Sequence, residues 1–299
     1  MNRRTFSRTL AGAAIGAAAY RGESLLAAAP PATEAEASTV PYKIAVMLWT
    51  VFSDLPFEQR IEKVAEAGFR NVELVGEYQK WSEEDFRRAN SKRRELGISF
   101  TTTAGLAHGV GDPSAREAFL ADLRAELPLM EKLECPAIIV MSGNRVEGLA
   151  PEVQHASCVE GLKRAAEIAE KNGVTLWLEN IDLEENPRYY LWSMAEAFKI
   201  ANEVNHPQVK ILYDFFHAQV SGGNLVAPLE KNISKVACVH VADVPGRHEP
   251  GTGEINYSNI YRKLVQLKYA GYVTMEFLPS GDPVATLRAA REEALRGGE

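Results

Sequence analysis

The chain has 299 residues, 46% hydrophobic and 24% charged, with 33 lysines and arginines against 40 aspartates and glutamates, a net charge of −7. That acidic balance argues against a nucleic-acid partner, because nucleic-acid binders present a basic face. Cys135, Cys158 and Cys238 stand at no metal-like spacing, and two of them adjoin apolar runs, so buried free thiols are expected and a disulfide framework is not.

The chain opens with Arg3-Arg4-Thr5-Phe6-Ser7-Arg8, then a weakly apolar Ala- and Gly-rich run over residues 10–19, then small residues near Ala27 to Ala29. A basic start, a modest apolar stretch and a small-residue cleavage region describe a secretory signal peptide. Paired arginines with Phe two positions on match the twin-arginine type, a receptor-read address and not an anchor. The competing reading is an uncleaved N-terminal helix. In either case the run falls short of the roughly 20 apolar residues that span a bilayer, and no stable membrane insertion is expected. Residues 1–29 are therefore set aside as signal and 30–41 as a flexible leader. An exported, periplasmic or extracellular protein follows. Without residues 1–29 the balance is 29 basic against 39 acidic residues.

The remaining 42–299 alternates short β-rich runs with longer helical patterns. Strands are expected at 43–48, 71–75, 98–103, 137–142, 174–179, 209–214, 236–243 and 272–277. Each is short, apolar and rich in Val, Ile and aromatics, as suits strands covered on both faces. Helical spacing follows at 57–68, 82–97, 113–133, 151–173, 193–204, 257–271 and 282–295, while residues 222–232 support only a short helix. Ser82 is placed to cap the second helix, Gly68 and Gly97 to stop the first two, and Pro128 to kink the third. Eight strand–helix repeats in about 260 residues predict a single-domain α/β fold, a (β/α)8 TIM barrel. An open doubly wound sheet would favour a glycine-rich turn after strand one, and LWTVFSDLPF contains no glycine.

In such a barrel the C-terminal strand ends converge on one face, where active sites lie. Those ends carry Glu179, Asp214, His240 and Glu276, on strands five through eight. Singly, a strand-end acid commonly caps a helix and a strand histidine commonly sits satisfied in a core. Four on consecutive strands are harder to explain that way. Converging carboxylates repel one another unless a cation joins them, and acids with one imidazole suit a single divalent ion: Mn, Mg, Co or Zn.

The stretches AVMLWTVFSDLPFEQRIEKVAEAGFRNVEL, LENIDLEENPRYYL, LYDFFHAQ, VHVADVPGRHEPGTGEINY and YVTMEF resemble the xylose isomerase-like barrel superfamily of sugar isomerases and epimerases. Within it the chain looks most like hydroxypyruvate isomerases. The resemblance runs from about Lys43 to Pro279 and implies metal ligation by Glu179, Asp214 and Glu276. His240 stands where hydroxypyruvate isomerases can carry Gln and related ketose epimerases carry His. The resemblance further implies substrate contacts from His217, Arg247 and Glu185, with Glu73 and His108 as weaker pocket candidates. Glu179 and Glu276 are the expected proton-transfer pair, acting on a metal-chelated hydroxy-ketone through an enediolate. Asp243 is expected beside His240, and Arg247, His248 and Glu249 on a loop that closes over substrate.

The function so implied is a divalent-metal-dependent isomerase or epimerase of a small hydroxy-ketone or sugar. Its partner would be a small carbohydrate or hydroxy-keto acid. An exported lyase or hydrolase of 3-keto sugars or glycosides could use the same site, and a sugar-binding protein could use the same fold without needing a poised base. DNA-repair endonucleases share the superfamily but use more metal ligands and a basic surface. Pairing of barrels into a homo-oligomer is a fold-level expectation.

Overall fold

The computed structural model describes residues 40–298. The signal and nearly all of the leader expected above lie outside the described residues. Val40, inside the expected leader, is already part of the hydrophobic core.

Eight parallel strands close into a barrel in sequence order: β1 (Lys43–Met47), β2 (Asn71–Leu74), β3 (Ser99–Thr103), β4 (Ala137–Met141), β5 (Thr175–Glu179), β6 (Val209–Asp214), β7 (Val236–Val241) and β8 (Tyr272–Met275). Closure is made by β1 against β8, in register from Lys43↔Tyr272 to Val46↔Met275. Around it lie α1 (Phe57–Glu66), α2 (Glu83–Glu95), α3 (Arg116–Leu133), α4 (Pro151–Lys171), α5 (Met194–Val204), α6 (Phe215–Ser221), α7 (Val226–Asn232), α8 (Tyr257–Gln266) and α9 (Pro283–Leu295). All eight expected strands form, most of them ending one or two residues early.

The strands read as nearly unbroken apolar runs because both faces are covered. On β4 and β5, Ile138, Val140, Leu176 and Leu178 join the large core shared with the helices. Their neighbours Ala137, Ile139 and Trp177 turn inward and pack with Met47, Leu212 and Cys238 inside the barrel. Alternation along a strand makes this sorting automatic.

Local signals set the helix ends. Ser82 and Asp85 form a reciprocal capping box at the start of α2, and Gly97 beyond its end takes φ +65°, the left-handed backbone that glycine adopts without a Cβ clash. Pro128 lies inside α3, whose helical path continues to Leu133. The short helix α6 departs from expectation. Its seven residues, FFHAQVS, open on aromatics that continue the apolar grammar of β6, so the helix is hidden in sequence. Asp214 starts it by accepting the His217 backbone N–H at 3.1 Å.

Among the described residues no helix is long and apolar enough to cross a membrane. The two-layer packing predicts a sharp contrast in stability. Leu176→Ala, at a site with 0% exposure, should lower the unfolding free energy by about 2–5 kcal/mol. Val153→Ala, on the exposed face of α4, should change it by less than about 0.5 kcal/mol. Urea titrations of the two variants make the comparison.

Candidate active site

The inward-facing rows of the last four strands turn from apolar to ionisable at one end of the barrel. Glu179 follows Trp177, Asp214 follows Leu212, His240 follows Cys238, and Glu276 follows Thr274 one residue beyond β8. Residues two apart share a face, so all four side chains enter the same space. One ligand atom from each lies within 4.8 Å of the others, and all four residues are buried.

His240 joins this cluster to the layer beneath. Its Nδ1 lies 2.8 Å from Glu276 Oε2, 3.7 Å from Glu179 Oε1 and 3.9 Å from Asp214 Oδ2. Its Nε2 meets Glu73 Oε2 at 3.0 Å. Glu73, on β2 with 0% exposure, also accepts from Thr274 Oγ1 at 2.5 Å and Cys238 Sγ at 3.4 Å. A histidine whose far nitrogen donates to a carboxylate is fixed in tautomer and direction, leaving its near nitrogen for a cation.

Asp214 supplies the test of whether these residues fit a metal. Oδ1 caps α6, while Oδ2 is buried with no hydrogen-bond donor. A buried oxygen left so costs about 1–3 kcal/mol, and a carboxylate cluster needs positive charge at its centre. Three carboxylates and one imidazole nitrogen make an oxygen-rich donor set suited to a hard or borderline divalent ion. The residues fit.

The electrostatics express the same demand. Burial pushes Glu179 up to about 8, with Glu276 and Asp214 adding to it and His240 opposing. Burial also raises Glu276, but His240 and Arg247 outweigh it and hold that carboxyl well below the usual range. Burial pulls His217 down, yet Asp214 and the Asp182 hydrogen bond carry it up to about 9. His240 is lifted well above an ordinary imidazole despite burial, by Glu276 and Glu73.

Arg247 clamps the rim. Its Nη2 meets Glu276 Oε2 at 2.8 Å, and its Nη1 meets both Glu185 oxygens at 2.8 and 2.9 Å. The guanidinium lies between two rings, 5.4 Å from the Trp49 centroid and 5.0 Å from that of Phe216. Trp49 Nε1 donates to Glu276 Oε1 at 2.8 Å. His217 Nδ1 meets Asp182 at 2.6 Å, and the other Asp182 oxygen accepts the backbone N–H groups of Glu184 and Glu185.

Asp243 does something other than pair with His240. Its Oδ1 accepts the backbone N–H groups of Val244 and Ile255, and its Oδ2 those of Gly251 and Gly253. One buried carboxylate thus organises the whole 244–255 loop. Gly253 is needed there, since a Cβ would sit 2.0 Å from the Val244 carbonyl oxygen. The loop presents Arg247 to the site at φ +56°. His248 and Glu249 turn instead to the segment after β8, meeting the Leu278 carbonyl and Ser280.

The site opens through Glu179 and Glu276 on a cavity of about 530 Å³, lined also by Glu185, His217, Arg247, Trp49, Gln79 and an apolar wall. A surface cleft of about 760 Å³ at Leu127, Pro128 and Ile168, between α3 and α4, holds none of the clustered side chains. Four candidate residues do not line the cavity: Asp214 and His240, which cluster with Glu179 and Glu276 that do, and Glu73 and His108. Glu73 is sealed beneath His240. His108 is exposed and bound to Asp122, its Nδ1 at 2.8 Å. A strand glutamate and a loop histidine carry no sequence signal that separates rim from floor or surface. Trp49, Phe216 and Asp182 join the site beyond the expected residues, Trp49 and Asp182 from positions that flank strand ends.

A closed eightfold barrel with acids and a histidine gathered at the C-terminal strand ends defines a barrel enzyme of the metal-competent kind. The family model described as xylose isomerase-like TIM barrel matches residues 61–296, and the chain belongs to that family. It is 32% identical over 247 residues to the 2-oxo-tetronate isomerase of Pectobacterium atrosepticum, covering 80% of this chain and 93% of that one. It is 30% identical to the hydroxypyruvate isomerase of Escherichia coli, covering 80% and 94%. A solved structure named as AP endonuclease, family 2, from Brucella melitensis superposes with a TM-score of 0.76 at 27% identity, covering 82% and 96%.

The Asp243 network predicts a local phenotype. Asp243→Ala should leave the far-ultraviolet circular dichroism unchanged while the amides of residues 244–255 lose hydrogen-exchange protection. Unchanged protection there would show that the loop does not depend on this carboxylate.

Proposed function

We propose that this isomerase-family barrel is a divalent-metal-dependent isomerase or epimerase of a small hydroxy-ketone, sugar or hydroxy-keto acid, working through an enediolate. The observation that carries the reading is the meeting of Glu179, Asp214, His240 and Glu276 within 4.8 Å, two of them lining the cavity, around a buried Asp214 oxygen that has no hydrogen-bond donor. The isomerase names of relatives about a third identical over four-fifths of the chain support the reaction class.

Glu179, Asp214, His240 and Glu276 would hold the ion, with Glu73 fixing the His240 ring. A bound divalent ion polarises a substrate carbonyl and acidifies the neighbouring C–H. Glu179 and Glu276 are the two cavity carboxylates next to that centre, and they form the proton-transfer pair. One takes the proton from the carbon beside the carbonyl. For isomerisation the proton returns to the former carbonyl carbon while the hydroxyl proton passes to the former carbonyl oxygen, and for epimerisation the other carboxylate returns a proton to the same carbon from the opposite face. Trp49 and Arg247 fix the Glu276 carboxylate in place. His217 and Arg247 lie at the cavity edge, where their N–H groups stabilise developing negative charge on substrate oxygens. Positioned acid–base groups of this kind contribute about 10²–10⁴-fold in rate.

Glu276→Gln should therefore cut turnover by about 10²–10⁴-fold while a titration still shows metal bound. Substantial turnover in that variant would overturn the two-carboxylate scheme. Chelation should abolish activity and added Mn or Co restore it. Glu73→Gln should weaken metal affinity by about 10–100-fold, read by titrating stripped protein with cobalt. Product analysis separates the lyase or hydrolase reading, since an isomer supports isomerisation and an expelled leaving group opposes it. Export of the mature protein is proposed on Arg3-Arg4 and the small residues near Ala27. Lysines at both arginine positions should retain the precursor in the cytoplasm.

A further inference from the structure

The two sides of the cavity come from different halves of the barrel. The clustered acids and His240 stand on β5 to β8, and the closed strand order puts β2 across the mouth from β6. On the β1 to β4 side, Met47, Val75, Ala104, Leu106, Ile139 and Met141 present hydrocarbon or thioether. The Trp49 N–H is already given to Glu276. Gln79, on the loop after β2, is the other polar side chain of that side of the lining.

Gln79 is held from behind. Its Nε2 donates to the Gly105 carbonyl oxygen at 2.8 Å and to Glu126 Oε1 at 3.1 Å. A carbonyl oxygen only accepts, so the group facing Gly105 must be the amide NH2, which fixes the direction of the carboxamide. Both N–H groups are then spent, and Oε1 is the atom these bonds leave over. Gly76, also in the lining, keeps the space beside that oxygen open: a Cβ there would stand 3.3 Å from it. An amide oxygen so placed offers an acceptor and nothing else, and it selects a donor.

The support behind Gln79 is buried and specific. Glu126 reaches in from α3 at 5% exposure, and the Tyr78 hydroxyl, on a fully buried ring, donates to the same Oε1 at 3.4 Å. Burial raises the Glu126 carboxyl, with the Gln79 and Tyr78 bonds opposing. Glu126 Oε2 is buried without a hydrogen-bond partner among the described residues, and a bare buried oxygen costs stability. Gly105 is what lets the group close, since a Cβ there would lie 2.7 Å from the Tyr78 hydroxyl and 2.8 Å from Gln79 Nε2. A costly buried carboxyl is thus spent on aiming one side chain at the cavity edge.

We propose that Gln79 is a specificity-determining residue whose Oε1 accepts the terminal hydroxyl of a polyhydroxy substrate, and that Glu126 is the residue positioning it. The proposal rests on the enediolate reading for which end of the substrate faces Glu179 and Glu276. A site built to bond a hydroxyl discriminates against the analogue that lacks it, because its own polar group is left unpaired.

D-xylulose and 5-deoxy-D-xylulose differ only in the terminal hydroxyl, and calorimetric titration of the metal-loaded full chain with each reads the contact. The wild-type chain should bind D-xylulose about tenfold tighter. Gln79→Leu should bring the two affinities together by weakening D-xylulose and sparing the deoxy sugar. Glu126→Leu should narrow the preference as well. Glu126→Gln, which still offers an oxygen to the Gln79 amide, should keep it, whereas a merely structural Glu126 would shift the melting temperature without moving the ratio. Equal affinities in the wild type, no binding of either included, would overturn the proposal, as would a preference that survives Gln79→Leu. A ratio unmoved by Glu126→Leu would overturn the positioning role. Proton exchange in heavy water reads the reaction separately: a C–H bond beside the carbonyl breaks, its proton passes to a carboxylate, and a deuteron from solvent takes its place. Absence of exchange from both sugars would overturn the enediolate reading, while the affinity ratio would still decide the role of Gln79.

Discussion

The bond between His240 Nε2 and Glu73 is the interaction on which the site depends. It spans two layers of the barrel interior, tying a carboxylate sealed in the core to the imidazole of the clustered strand-end residues. Glu73 is fully buried, and its carboxylate is held by His240, Thr274 and Cys238. In return the imidazole cannot rotate, and its Nδ1 faces Glu179, Asp214 and Glu276. Breaking this axis would leave a buried charge beneath and an unaimed ligand above, and the penalty for an unpaired buried charge is large.

Above the axis, aromatic and backbone groups hold the polar ones. Arg247 lies between Trp49 and Phe216 while it reaches Glu276 and Glu185. The loop that carries it is wired through four amides to Asp243. This loop is built in advance, and a group already in place loses little entropy when substrate arrives. Asp182 does the same for the loop after β5, ordering Glu184 and Glu185 while it holds His217.

Much of this was legible in the sequence, and the part that was not has a common physical cause. Strand alternation is strictly local, so the apolar runs announced eight strands, and the strand-end positions announced Glu179, Asp214, His240 and Glu276. Depth along the barrel axis is not local. Glu73 and Glu276 are both acids at strand ends, yet the register of β2 against its neighbours puts one under His240 and the other beside it. His108 shows the same limit, because its loop lines the cavity through Ala104, Gly105 and Leu106 while its own exposed side chain is held by Asp122 of α3. Asp243 was expected beside His240. It follows β7 by two residues, but there the chain has left the sheet and its carboxylate faces its own loop. Helix α6 was missed because its aromatic opening is apolar for packing reasons that strand and helix share.

Closure of the barrel joins the beginning of the described chain to its end. β1 finds its second neighbour only in β8, and the Tyr42 hydroxyl donates to the Ala294 carbonyl oxygen on α9 at 2.6 Å. Contacts between such distant parts of a chain form late and slowly, because a long loop must close first. A chain cut short before β8 would therefore leave one edge of β1 unpaired and the Tyr42 hydroxyl without its acceptor, so a lesion at the far terminus is felt first at the near one.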